Sequence, residues 1–203
     1  MNLPNKLTLL RILLVPVFVF CMDTSFPGHF LAALLVFAAA SVTDALDGKI
    51  ARSRGLITPF GKFADPLADK ILVLAAFAVM QNLNTQLVDL YGRALSLHVT
   101  DVVVILIAAR EFMVSGLRLV TAEKGVVVAA GIWGKLKTAF TMVTQVAILV
   151  YLTVLEFADY ALPGTVMRTM SWVFLLLVWA SVVLTWISGG IYLKGYWKYI
   201  DMK

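Results

Sequence analysis

The sequence predicts an all-α integral membrane protein of six transmembrane helices with both termini cytoplasmic, and three observations carry that prediction. Of 203 residues, 61% are hydrophobic and 14% charged, and the mean hydropathy of +0.92 is far above that of a water-soluble domain. The apolar residues gather into six runs, centred on 7–22, 29–43, 70–80, 100–117, 139–155 and 169–193. The cations between those runs fall almost entirely on one side once the chain is threaded six times through a bilayer.

Each run has its own warrant. A hydrocarbon core of roughly 30 Å takes about 20 apolar helical residues to cross. The first run follows Lys6 as a signal peptide would, but Arg11 interrupts it and no small-residue cleavage site follows Phe20, so it is expected to be retained as a helix. The second and third runs reach full length only with their polar ends included, which places carboxylates at helix ends. The fourth contains Arg110 and Glu111 within apolar sequence. Ala139 to Leu155 and Thr169 to Leu193 contain no charged residue and read most plainly as spans. No internal period repeats, so the whole of residues 1–203 is expected to form a single transmembrane domain.

Threaded this way, Lys6, Arg11, Lys49, Arg52, Arg54, Lys62, Lys70, Arg110, Arg118, Lys124, Lys135, Lys137, Lys194, Lys198 and Lys203 share the side of the termini, and only Arg93 and Arg168 lie opposite. Lys and Arg accumulate in cytoplasmic loops, so residues 55–60 and 121–134 are expected inside and 82–97 and 157–167 outside. A cysteine introduced at Ser96 is then expected to meet external reagents and one at Thr58 to be shielded. The net charge of +5 fits loops lying on anionic lipid and gives no support to a nucleic-acid partner. The lone cysteine, Cys21, excludes an intrachain disulfide and a thiolate metal cluster.

Asp44, Asp47, Asp65 and Asp69 stand at the cytoplasmic ends of the second and third runs. Spacings of three and four place each pair on one helix face. In one straight helix Asp47 and Asp65 would be about 27 Å apart, too far to share an ion. Gly55, Pro59 and Gly61 supply a break that lets the chain fold back and the four carboxylates converge. Four ionised carboxylates so close repel unless cations compensate, and an oxygen-only cluster suits Mg²⁺, Mn²⁺ or Ca²⁺. The alternative is simple pairing with Lys49, Arg52, Lys62 and Lys70 on a solvated helix end. Gly48 and Ala51 share a face that either admits a close ligand or packs against another helix.

Residues 44–69 read DALDGKIARSRGLITPFGKFADPLAD. This string resembles the signature of the CDP-alcohol phosphotransferase family, D-x2-D-G-x2-A-R-x8-G-x3-D-x3-D. Asp44, Asp47, Gly48, Ala51, Arg52, Gly61, Asp65 and Asp69 fill every defined position. The resemblance implies displacement of CMP from a CDP-linked lipid, CDP-diacylglycerol, by an alcohol. It implies Asp44, Asp47, Asp65 and Asp69 as ligands of two divalent ions, Mg²⁺ or Mn²⁺, with Asp69 also taking the proton of the attacking hydroxyl. Asp47, Gly48, Ala51, Arg52 and Gly61 would hold the cytidine nucleotide.

Arg110, Arg118, Lys135 and Lys137 favour an anionic acceptor, because cations so near a span generally face an anion or a water-filled cavity; lipid snorkelling is the competing explanation. The strings AREFMVSGLR (109–118), WGKLKT (133–138) and NLPNKLTLLR (2–11) resemble the bacterial branch of that family whose acceptor is glycerol 3-phosphate. That branch implies an enzyme of phospholipid synthesis in the bacterial cytoplasmic (inner) membrane, its site facing the cytoplasm among membrane lipids. Relatives using inositol phosphate, serine or a second lipid are the alternative. A divalent-cation transporter fits less well, since all four aspartates lie at one interface. Small residues such as Ala32, Ala33, Gly189 and Gly190 offer faces for the homodimer common in the family.

Overall fold

A computed structural model of the chain describes residues 2–54, 59–91, 95–123 and 131–197, with the backbone alone for 45, 47–49, 51–54, 59, 60, 62, 63, 65, 66, 89–91, 122 and 123. The described residues form six helices and no strand: α1 (Leu3–Asp23), α2 (His29–Arg54), α3 (Pro59–Tyr91), α4 (Asp101–Glu123), α5 (Ile132–Phe157) and α6 (Gly164–Tyr196). The six apolar runs are these six helices.

Local chemistry sets their ends. The Asn2 side chain accepts the Asn5 N–H at 3.1 Å and Pro4 sits in the first turn of α1, where a missing N–H costs nothing. α1 ends where Thr24 turns extended, before Pro27 and a positive-φ Gly28. The N-terminus of α2 is capped from α5. The Glu156 carboxylate accepts the N–H groups of Gly28 at 2.6 Å, His29 at 3.3 Å and Phe30 at 3.2 Å, satisfying donors that an isolated helix leaves open. α2 is described as far as Arg54 and α3 from Pro59; the break expected from Gly55 lies outside the described residues.

The helices expose apolar residues and bury polar ones among the residues of an apolar core. α1 buries Asn5, Thr8 and Arg11 while exposing Leu9, Leu10, Leu13 and Phe20. α6 buries Ser171, Ser181, Thr185 and Ser188 and exposes Trp172, Leu176, Val183 and Trp186. α5 buries Lys137, Thr141, Thr144 and Gln145 while Val143, Val146 and Val150 face out. In water this would be unstable; in lipid, apolar surface gains nothing by burial and polar groups must find partners inside.

By length and composition four helices suffice to cross a bilayer: Leu3–Asp23, Leu67–Val88, Ile132–Phe157 and Gly164–Tyr196. Among the described residues α2 offers the shorter apolar stretch His29–Asp44, and α4 carries Asp101, Arg110, Glu111, Arg118 and Glu123. The charged residues of α4 keep it out of that set.

The chain divides into two compact units. The first comprises residues 1–83 and 146–163, the second 84–145 and 164–203. In the first, α1 packs along α2, with the Phe18 and Phe37 rings 5.7 Å apart and Ala33, Phe37 and Ala40 fully buried. In the second, α4 packs against α6. There the segment entering α4 is tied down by Asn84, whose Oδ1 accepts the Leu97 N–H at 2.7 Å and the Ser96 hydroxyl at 3.1 Å, while Ser171 Oγ accepts the Ser96 N–H at 2.9 Å. Ser96 is therefore buried and is no place for a labelling cysteine, contrary to the expectation from its loop position. Ala33 and Gly189 are buried within the chain, so neither offers the dimer face their small size implied.

Candidate active site

In the first unit, Asp44 and Asp47 lie in the later turns of α2, followed there by Gly48, Ala51 and Arg52, and Asp65 and Asp69 lie in α3. Gly61, in the first turn of α3, is buried. The side chains of Asp47, Ala51, Arg52 and Asp65, and the surroundings of Gly48, lie outside the described residues, as does the connection 55–58. Asp69 is half-buried. Among the described residues, which include the side chains of Asp44 and Asp69 but not of Asp47 and Asp65, no three His, Cys, Asp or Glu groups form a metal cluster.

Asp44 has a partner on another helix. Its Oδ1 lies 2.9 Å from Arg11 Nη1, and the arginine side chain is 0% exposed while the aspartate is 39% exposed. Arg11 shares its face with Thr8 and Asn5, spaced by three along α1. Sequence reasoning treated Arg11 as an interruption of an apolar run; the signal for more was there, because an arginine one turn inside a span needs an internal anion. The geometry gives Asp44 a buried cation on Oδ1 while its side chain stays partly exposed.

The four cations proposed for an acceptor all belong to the second unit, and the structure separates them into two pairs. Arg110 and Lys137 are buried. Both donate to the same oxygen, Oε1 of Glu111, Arg110 Nη1 at 2.9 Å and Lys137 through Nζ. Arg110 Nη2 donates to Ser188 Oγ at 2.7 Å, and its buried Nε has no hydrogen-bond partner among the described residues. The trio carries a formal charge of +1 in low-dielectric surroundings, an arrangement that attracts an anion. Arg118 and Lys135 are exposed. The Arg118 guanidinium lies 5.4 Å from the Tyr192 ring centroid and donates to its hydroxyl at 3.3 Å. Glu111 and Tyr192 are the residues that a reading of cations alone passes over.

With this arrangement in place the chain can be compared with known proteins. The CDP-alcohol phosphatidyltransferase family model matches residues 1–187. The chain belongs to that family. Among family members, it is 38% identical to the CDP-diacylglycerol--glycerol-3-phosphate 3-phosphatidyltransferase of Bacillus subtilis (strain 168), over 97% of this chain and 96% of the relative. The proteins of the same name from Rickettsia bellii (strain RML369-C) and Pseudomonas fluorescens are 35% and 40% identical, covering 98% and 73% of this chain and 97% and 72% of their own.

Proposed function

We propose that the protein transfers the phosphatidyl group of CDP-diacylglycerol to glycerol 3-phosphate, releasing CMP and forming phosphatidylglycerol phosphate. The observation that carries this reading is likeness over 97% of the chain to a relative of that named activity, joined to a complete aspartate signature. The acceptor hydroxyl attacks the phosphorus that bears the diacylglycerol; the bond from that phosphorus to the CMP oxygen breaks, and CMP leaves with the electron pair.

The donor set suits a divalent cation. Asp44 and Asp69 are hard oxygen donors, and the partial exposure of Asp44 leaves it accessible beside Arg11. In this reading Asp44, Asp47, Asp65 and Asp69 hold two ions, Mg²⁺ or Mn²⁺, which when bound neutralise charge on the diphosphate and on the leaving oxygen. Asp69 accepts the proton of the attacking hydroxyl. A carboxylate held among cations is a weak base, so proton removal accompanies bond formation rather than preceding it. Asp47, Gly48, Ala51, Arg52 and Gly61 hold the nucleotide, the small residues allowing close approach and Arg52 meeting phosphate.

Arg110, Arg118, Lys135 and Lys137 serve the acceptor's phosphate. The buried +1 trio around Glu111 and the exposed pair Arg118 and Lys135 support this, because a phosphate at a partly dehydrated interface needs several charged donors. The site faces the cytoplasm of a bacterial inner membrane, where soluble glycerol 3-phosphate is met while the acyl chains of the donor stay in lipid.

The test is CMP release by the purified protein in detergent with CDP-diacylglycerol, a divalent cation and a panel of acceptors. Glycerol 3-phosphate should be used and glycerol, serine and inositol phosphate should not. Chelation, or any of Asp44→Asn, Asp47→Asn, Asp65→Asn and Asp69→Asn, should abolish turnover. Equal use of neutral glycerol would remove the phosphate site from the mechanism, and full activity under chelation would remove the metals.

A further inference from the structure

We infer that Ser188, Gly189 and Tyr192, one face of the C-terminal part of α6, are positioning residues that hold Arg110 and Arg118 in the geometry the acceptor phosphate requires. This rests on the reading of those arginines as acceptor ligands, and it assigns to α6 a role that its wholly uncharged sequence from Thr169 to Leu193 does not announce.

Each contact restrains a different part of the pair. Ser188 Oγ accepts from Arg110 Nη2 at 2.7 Å and is itself fully buried, which fixes one end of that guanidinium while Glu111 holds Nη1. Gly189 provides the room. A Cβ there would stand 3.0 Å from Arg110 Cγ, 3.2 Å from Met113 Cε and 3.4 Å from Arg110 Nε. α4 packs directly on α6, so an alanine would push the arginine stem away from Ser188 and Glu111.

Tyr192 does the same for Arg118. Its ring lies beside the guanidinium and its hydroxyl accepts from Arg118 Nη2. The same hydroxyl accepts the Gly131 N–H at 2.7 Å, at the residue before α5, and a Cβ on Gly134 would come within 3.0 Å of it. Tyr192 is buried with Val114 and Leu117 of α4 around it. One phenol thus joins the end of α4, the start of α5 and α6, and holds an otherwise exposed arginine against a fixed surface. An arginine so held loses less freedom when it grips phosphate than one moving freely in water.

The experiment is steady-state kinetics of the full-length protein in detergent, with KM measured separately for glycerol 3-phosphate and CDP-diacylglycerol. Tyr192→Phe removes one oxygen and keeps the ring, and should raise the glycerol 3-phosphate KM about 3- to 10-fold, the effect of one hydrogen bond to a charged group. Tyr192→Leu should raise it further, and Gly189→Ala should raise it on the order of tenfold or more through displacement of Arg110. The CDP-diacylglycerol KM should stay within about twofold in each. Arg118→Ala is the control for the underlying reading. If Arg118→Ala leaves the glycerol 3-phosphate KM unchanged, the acceptor assignment falls and this inference with it. If Arg118→Ala raises it while Tyr192→Phe does not, or if the α6 variants shift both substrates equally, α6 is packing alone and the inference is overturned. Should Gly189→Ala fail to fold, Tyr192→Phe still decides, because it removes no bulk that the helices pack upon.

Discussion

At the scale of single residues, the pair Arg11 and Asp44 shows how a carboxylate proposed as a metal ligand can also be structural. A fully buried guanidinium 2.9 Å from a half-open carboxylate means that removing the aspartate leaves a charge inside the protein without that counterion, which typically costs several kcal/mol; solvent access to Asp44 reduces this to about 1–3 kcal/mol. Asp44→Ala should therefore lower the apparent melting temperature in detergent as well as abolish turnover. Arg11→Met should also lower it, and the double variant should fall no further than the worse single one, because the two share one interaction. Additive losses in that cycle would show the pair to be uncoupled. Asp44→Asn tests the chemistry more cleanly, since it keeps the shape and an acceptor oxygen for Arg11 while removing the charge that a metal needs.

At the scale of elements, α4 illustrates how a helix with charges in its apolar sequence is accommodated. Arg110 and Glu111 would each be costly in hydrocarbon. They point inward, and Lys137 of α5 and Ser188 of α6 complete the set. Glu111 is the common partner, so Glu111→Leu should leave two buried cations without it and cost about 3–5 kcal/mol, seen as loss of folded protein or a sharp drop in melting temperature. Glu111→Leu with Lys137→Leu should recover part of that loss, because one of the two stranded charges goes with it. No recovery in the double variant would mean that Glu111 stabilises the fold by something other than charge.

At the scale of the whole molecule, the prediction concerns sidedness. With 15 of 17 cations on the side of the termini, the connection between α2 and α3 is expected in the cytoplasm and that between α5 and α6 outside. Cys21 is buried, so introduced cysteines report with little background. A cysteine replacing Ala161, exposed in the α5 to α6 turn, should react with an impermeant maleimide in intact cells, and one replacing Thr58 should react only after permeabilisation. The reverse pattern would put the aspartates outside, away from a cytoplasmic acceptor, and overturn the proposed reaction in the cell.

Much of this protein was legible before any tertiary structure, and the parts that were not share a cause. The six runs became six helices, because hydrophobic length acts locally along the chain. The aspartate signature was readable for the same reason: its spacings of three and four are a property of one helix at a time. The pairing of Arg11 with Asp44, the sharing of Glu111 by Arg110 and Lys137, the burial of Ser96 and the seat that Tyr192 gives Arg118 were not readable. Each joins residues 26 to 75 positions apart. The sequence determined where the helices lie and which of them carry charge; only the packing of one helix upon another decided which group each charge would meet.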